Sequence, residues 1–357
     1  MNARSSQRFF AIDLLKALSI TAAVSYHAIF LPESTYNSAQ PFLDILFTPF
    51  RFCVPVFFTI SFFLLANSLE REIHYSAIAQ LKKRLQRLLI PTLFWFVIAG
   101  GLRILSGTNS TSSLIVSAVK GLIFPGAYFL LASIQLLVIT VLLFPWLSKT
   151  RTILTLISMQ FFVFLLLYIS LFGVLGENVV QILDSMNRPF IAYWLVYVLL
   201  GIYLFKYWDR IKYLSSQTPL PTKLTLLTIG FVAMMLEFYY LHLSKNFHYS
   251  HSEYLMFSCI LIVPLLFFCF ASIDEQDIPP SCCRAIQLLS KYSLGIFCIN
   301  GIFSSIFYAL SFRFLGSLNF DFTQILLIKL GGWGMLLIIS LLLSVCLHRL
   351  GLRRCVC

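Results

Sequence analysis

The chain has 357 residues, of which 59% are apolar and only 11% charged, and its mean hydropathy is +0.88. Soluble domains typically carry ~25% charged residues, so a water-soluble globular fold is excluded. Long unbroken apolar runs, rather than short alternating segments, exclude a transmembrane barrel, and the net charge of +12 follows the loops between those runs, a membrane pattern and not a nucleic-acid footprint.

The fold class this predicts is an all-α polytopic membrane protein, a single integral-membrane domain over 1–357 with about ten transmembrane helices. The expected spans are 9–31, 41–68, 88–106, 127–147, 152–173, 189–206, 222–243, 254–272, 292–312 and 323–347. Lys and Arg set the orientation. They concentrate at the N-terminus, in the loops that follow even-numbered spans and at the C-terminus, as in Lys82, Lys83, Arg84, Arg353 and Arg354. The opposite set holds only Arg103, Lys120, Arg188, Lys245 and Arg313. Both termini are therefore expected on the cytoplasmic side. The first span is too long and too charged for a cleaved leader and reads as retained. A clear internal repeat, the mark of many transporters, is missing.

That first span, RFFAIDLLKALSITAAVSYHAIFL at 8–31, carries Asp13, Lys16 and His27. Ionisable groups at membrane depth are expensive and point to function. Asp13 and Lys16 are three apart, close enough on a helix to pair. Lys16 and His27 are eleven apart, which on a continuous helix returns to within ~20° of one face and separates them by ~16 Å. A structural ion pair with an interfacial histidine is the alternative.

The second span, RFCVPVFFTISFFLLANS, holds Arg51 in its outer half and Pro55, which is expected to kink the helix and free backbone groups that need polar surroundings. Ser61 could bond back to that backbone, and a snorkelling Arg51 on a packing helix is the plainer reading. Then comes the densest basic run, LKKRLQRLLIP at 81–91. Arg84 and Arg87 share a face, with Lys83 beside them. Guanidinium forks suit phosphate oxygens, and a positive anchor drawn to anionic lipid is the alternative.

Glu237 lies inside the seventh span and needs a cavity, a proton or a partner, for which Arg51, His27 and Lys329 are candidates. His242, His248 and His251 cluster near an outer loop and read as solvated. Tyr128, Phe129 and Asn300 suit packing or interfacial roles. The nine cysteines show neither a disulfide framework nor paired C-x2-C spacing, so no metal site is expected.

Taken in order, these pieces resemble the membrane-bound acyltransferase-3 family, which includes bacterial surface-polysaccharide O-acetyltransferases. IDLLKALSITAAVSYH is similar to the family's LDGLRAIA…H opening, with Asp13, Lys16 and His27 in register. VPVFFTISF resembles VPLFFxISG, with Phe62 in place of the usual glycine. Lys83, Arg84, Arg87 and Pro91 match a KRxxRLxxP run. YWLVYVLLGIYL resembles YFxxFLLGYYL, and SKYSLGIFCIN resembles SxxSFGIYLIH, with Asn300 where histidine is common. The resemblance covers about 8 to 312, and the chain is expected to lack the extracytoplasmic domain fused to some relatives.

The resemblance implies acetyl-CoA as donor, a cell-envelope or lipid-linked glycan such as lipopolysaccharide O-antigen as acceptor, and a bacterial inner membrane with its lipid as the setting. It implies no nucleic-acid partner and says nothing of oligomeric state. Acyl transfer needs a base for the hydroxyl proton, a donor cradle and support for the oxyanion. His27 is the expected base, with an acetyl-histidine intermediate as a variant. Arg84, Arg87 and Lys83 are expected to hold CoA phosphates. Lys16, paired with Asp13, lines the path inward, and Arg51 and Glu237 orient acceptor or support the oxyanion. The basic pair and His27 fall on opposite sides, so either the donor's arm threads inward or the acyl group is relayed. A glycan flippase or transporter and a structural subunit of an envelope assembly are the competing readings.

Overall fold

The computed structural model describes residues 9–71, 76–106, 111–171, 190–244, 256–316 and 318–357. His248 and His251 lie outside the described residues. Helices α1 Phe10–Tyr26, α2 Gln40–Phe47 and α3 Cys53–Arg71 open the chain, the last two joined by a 3-10 turn at Thr48–Phe52. Then follow α4 Ala77–Leu105, α5 Thr111–Val119, α6 Ala127–Leu147, α7 Thr150–Leu171, α8 Leu195–Lys206, α9 Trp208–Gln217 and α10 Leu220–Phe238. The last four are α11 Phe257–Phe270, α12 Pro280–Leu315, α13 Phe322–Arg349 and the short α14 Arg353–Val356. Among the described residues there is no strand.

Every expected span contains a helix. Among the described residues, six stretches are long and apolar enough to cross a membrane: 40–71, 77–105, 127–147, 220–241, 280–315 and 322–349. The helices at 150–166, 195–206 and 257–270 are apolar but shorter. The protein is thus a multi-pass membrane protein by length and composition of its helices.

α1 is the axis of the bundle. It packs against α3, α11, α12 and α13, and Leu15, Ile20 and Val24 are fully buried. A helix buried over most of its surface has no broad polar stripe, which is why its apolar residues run almost without period. Burial separates inner from outer helices: the apolar window of 40–71 is 78% buried, that of 322–349 only 22%. α3 lies along α8 and comes close to it at Gly201, where a Cβ would stand 2.4 Å from the Thr59 carbonyl.

Three boundaries differ from expectation in ways that shape the site. α1 stops at Tyr26, and the chain folds back through Glu33–Thr35 before α2. Leu31, Tyr36, Leu43 and Phe47 cluster with Ile325 of α13 beneath that loop. The basic run at 81–87 is helical, because α4 begins at Ala77 with Ser76 accepting from the Ala79 N–H. Pro55 falls within the first turn of α3, directly after the 3-10 turn, where proline is tolerated, so it does not break a helix in mid-span. The Arg51 carbonyl, which lacks an N–H at Pro55, faces the Cys259 thiol at 4.0 Å. The hydroxyl that bonds back is that of Thr59, to the Pro55 carbonyl at 2.9 Å, and not that of Ser61.

Candidate functional site

The two ends of α1 open into separate cavities. The first, of about 410 Å³, surrounds His27 and is lined also by Glu33, Asp44, Arg51, Tyr128 and Lys329. The second, of about 470 Å³, is lined by Lys16, Arg84, Arg87, Ser68 and Cys357 among polar groups, with Phe57, Leu65 and Leu130 forming apolar wall. The shared face expected for Lys16 and His27 is therefore not how they act together. His27 follows the last helical residue, with φ −96 and ψ 8, and each group serves its own cavity.

His27 is placed by the way α1 ends. Its N–H closes a tight last turn onto the Val24 carbonyl at 3.1 Å. The final carbonyls of a helix lack intrahelical donors, and here α13 supplies a cation. Lys329 Nζ donates to the Ser25 carbonyl at 3.0 Å, a favourable place for positive charge. Trp333 Nε1 donates to the Thr21 carbonyl at 2.7 Å. The Tyr26 hydroxyl donates to the Phe47 carbonyl at 2.7 Å, fixing the helix end to α2. α13 comes this near because residue 332 is glycine: a Cβ there would stand 2.6 Å from the Ala28 carbonyl, next to His27.

Arg51 does not snorkel. It is 5% exposed, and its guanidinium lies 4.6 Å from the Phe238 ring centroid and 5.3 Å from that of Tyr26, a cation held over aromatic faces. Lys329 likewise sits 4.1 Å from the Phe47 ring centroid. Asp44 is within electrostatic reach of Lys329. In the loop above, burial pushes the Tyr36 phenol well above its ordinary pKa, and Glu33 and Asp44 add to the rise, keeping that hydroxyl a neutral donor.

In the second cavity Arg84 donates through Nη2 to the Ser68 hydroxyl at 2.9 Å, which aims a planar fork inward from α4. Arg87, one turn on, is exposed at the rim, and Lys83 is exposed outside the lining. Lys16 is within electrostatic reach of Asp13, and Asp13 accepts a hydrogen bond from the Ser290 hydroxyl of α12.

Glu237 has a different duty from the one expected. It lines neither cavity. Its carboxylate accepts the Phe257 and Ser258 N–H groups at 2.9 and 2.8 Å, capping the N-terminus of α11 from a neighbouring helix, and accepts the Tyr168 hydroxyl as well. Such a cap satisfies orphan donors and complements the helix dipole.

Comparison with known proteins decides the family. The family described as an acyltransferase domain, acyltransferase-3, matches residues 9–349. The chain belongs to the acyltransferase-3 family. The match extends past the resemblance read from motifs and includes α13, which carries Lys329. An amino-acid racemase from Enterococcus faecalis is similar, 27% identical over 268 residues that cover 71% of this chain and 36% of that protein. The chain thus spans about a third of that relative's length. No solved structure matches the chain.

The motifs of this acyltransferase-3 chain converge on the two cavities. VPVFFTISF runs from one to the other: Val54 lines the His27 cavity, whereas Phe57, Ser61 and Phe62 line the Arg84 cavity. Ser293 and Phe297 of SKYSLGIFCIN contribute as well. YWLVYVLLGIYL packs instead, with Trp194 and Tyr197 buried and Gly201 at the α3 contact. Glu33, Asp44 and Lys329 were not expected at the site. Lys329 had a signal, as an intramembrane cation like Lys16 and Arg51; Asp44 had one too, as a carboxylate within the second span.

Proposed function

We propose that this protein transfers an acetyl group from acetyl-CoA to a hydroxyl of a cell-envelope or lipid-linked glycan, working in a bacterial inner membrane. The observation that carries this reading is the pair of cavities at opposite ends of α1. One has arginine forks above an apolar slot, a fit for a phosphorylated donor with a thin acylated arm. The other gathers an imidazole, two carboxylates, two cations and phenols, a fit for a polyhydroxylated acceptor.

In the reaction His27 takes the acceptor hydroxyl's proton as the oxygen attacks the thioester carbonyl carbon. The oxyanion forms near Arg51 and Lys329, whose positive charge offsets it in a water-poor setting. The C–S bond then breaks, and the CoA thiolate recovers the proton. Ten crossings with both termini cytoplasmic put Arg84 and Arg87 on the side where CoA is made, and His27 on the envelope side.

Two cavities opening at opposite ends also suit a carrier for a lipid-linked glycan. Proteoliposomes loaded with radiolabelled acetyl-CoA, with candidate glycans outside, separate the two. Labelled ester on the glycan supports acyl transfer; glycan movement without label supports the carrier.

A further inference from the structure

Among the described residues, Phe297 of α12 is the one that lines both cavities. It is 5% exposed. Its ring tilts against Phe129 with centroids 5.3 Å apart. The ring tip fills the space beside Gly126, where a Cβ would stand 2.6 Å from Phe297 Cζ. Gly126 has φ +92, so its backbone also resists any larger residue. Along the helices that run from one cavity to the other, Ile20 of α1 and Val56 of α3 are fully buried. Adjacent residues of α6 fall on either side of the partition, Tyr128 in the His27 cavity and Phe129 in the Arg84 cavity. The backbone at Phe297 is pinned, because Asn300 Nδ2 donates to its carbonyl at 2.9 Å. The ring itself is held by packing alone, against Phe129 and beside Gly126.

We propose that Phe297 is a specificity-determining residue: the acyl end of the thioester passes from the Arg84 cavity to His27 beside this ring, and the ring sets the largest acyl group that passes. This rests on the acyl-transfer reading above. It also resolves how a donor held at one end of α1 meets a base ~16 Å away at the other, since only the thin acylated arm has to cross.

The test compares acetyl-, butyryl- and hexanoyl-CoA as donors for the purified protein in proteoliposomes. Phe297→Ala and Phe297→Leu are expected to raise the butyryl-to-acetyl ratio of kcat/KM at least tenfold. Phe297→Trp is expected to lower kcat for acetyl transfer while leaving the acetyl-CoA KM within twofold. Ile60→Ala, a truncation in the buried core at a residue that lines neither cavity, is expected to leave the ratio unchanged. If the alanine variant does not accumulate, the leucine and tryptophan variants carry the comparison. An unchanged ratio in active Phe297 variants, or an equal rise in Ile60→Ala, overturns the assignment alone. Absence of acyl transfer by the wild-type protein overturns the acyl-transfer reading and this proposal with it.

Discussion

His27 owes its position to helix termination. Leu15 and Val24 inside α1 are fully buried, whereas the first residue past Tyr26 turns into a cavity with charged walls. Its replacement removes no core contact of the kind that Leu15 or Val24 makes. His27→Ala is therefore expected to leave membrane insertion and abundance near normal and to lower acetyl transfer by ~10²–10⁴-fold, the usual contribution of a general base. Quantifying acetylated product against protein amount checks this; product at near wild-type rate would remove His27 from the reaction. Glu237 predicts the opposite pattern. Glu237→Ala leaves the Phe257 and Ser258 N–H groups of α11 without their acceptor, at about 1–3 kcal/mol for a buried unsatisfied group. A lower unfolding temperature in detergent with an unchanged acetyl-CoA KM is the expected outcome. A changed KM at unaltered stability would return Glu237 to the site.

Elements meet at the site through small residues as much as through charges. Gly332 lets α13 lie against the Ala28 carbonyl and the Phe30 ring, and that approach delivers Lys329 and Trp333 to the end of α1. Gly332→Val would force these elements apart, an overpacking that costs about 1–3 kcal/mol. Because the displaced chain follows His27, kcat should fall while donor KM stays near wild type. Steady-state titration of acetyl-CoA measures both. α4 illustrates the same dependence at the other end. Its helical extension through 81–87 puts Arg84 and Arg87 on one wall of a cavity. If they hold donor phosphates, Arg84→Ala or Arg87→Ala should raise the acetyl-CoA KM. A charge-assisted bond is worth ~1.5–3 kcal/mol, or roughly ten- to over a hundredfold. Lysine should rescue only in part, lacking the bidentate fork. Full rescue by lysine with unchanged KM would make the run a topology anchor instead.

At the scale of the whole molecule, a central buried helix separates two cavities of unlike chemistry. Salt should act on them unequally. The Arg84 cavity has an exposed arginine at its rim, where ions screen charge within ~10 Å at 0.1 M, whereas Arg51 is sealed among aromatic rings. Raising ionic strength is therefore expected to increase the acetyl-CoA KM while glycan KM changes less. Parallel titrations of the two substrates at low and high salt check this, and equal shifts would contradict the division of labour between the cavities.

The amino-acid sequence by itself determined the class, the helix positions and most charged candidates. Apolar runs in a nonpolar solvent must be helical, because backbone groups there need internal partners, and each lone charge in such a run stands out against its background. His27, Lys16 and Arg51 stood out on those grounds, Arg84 and Arg87 as part of a dense basic run, and motif order pointed to the family. Tertiary structure decided which charges share a space. Glu237 and Lys329 look alike in sequence, each an isolated charge in an apolar run, yet one caps a helix and the other lines the cavity around His27. No periodicity distinguishes them, because the difference lies in which helix end each side chain meets. The end of α1 at Tyr26 was equally illegible, since the apolar run at 28–31 after His27 conceals a chain reversal that is held by α2 and α13. The partition at Phe297 arises only where the turn that opens α6 meets α12, at a glycine whose missing side chain leaves room for a ring.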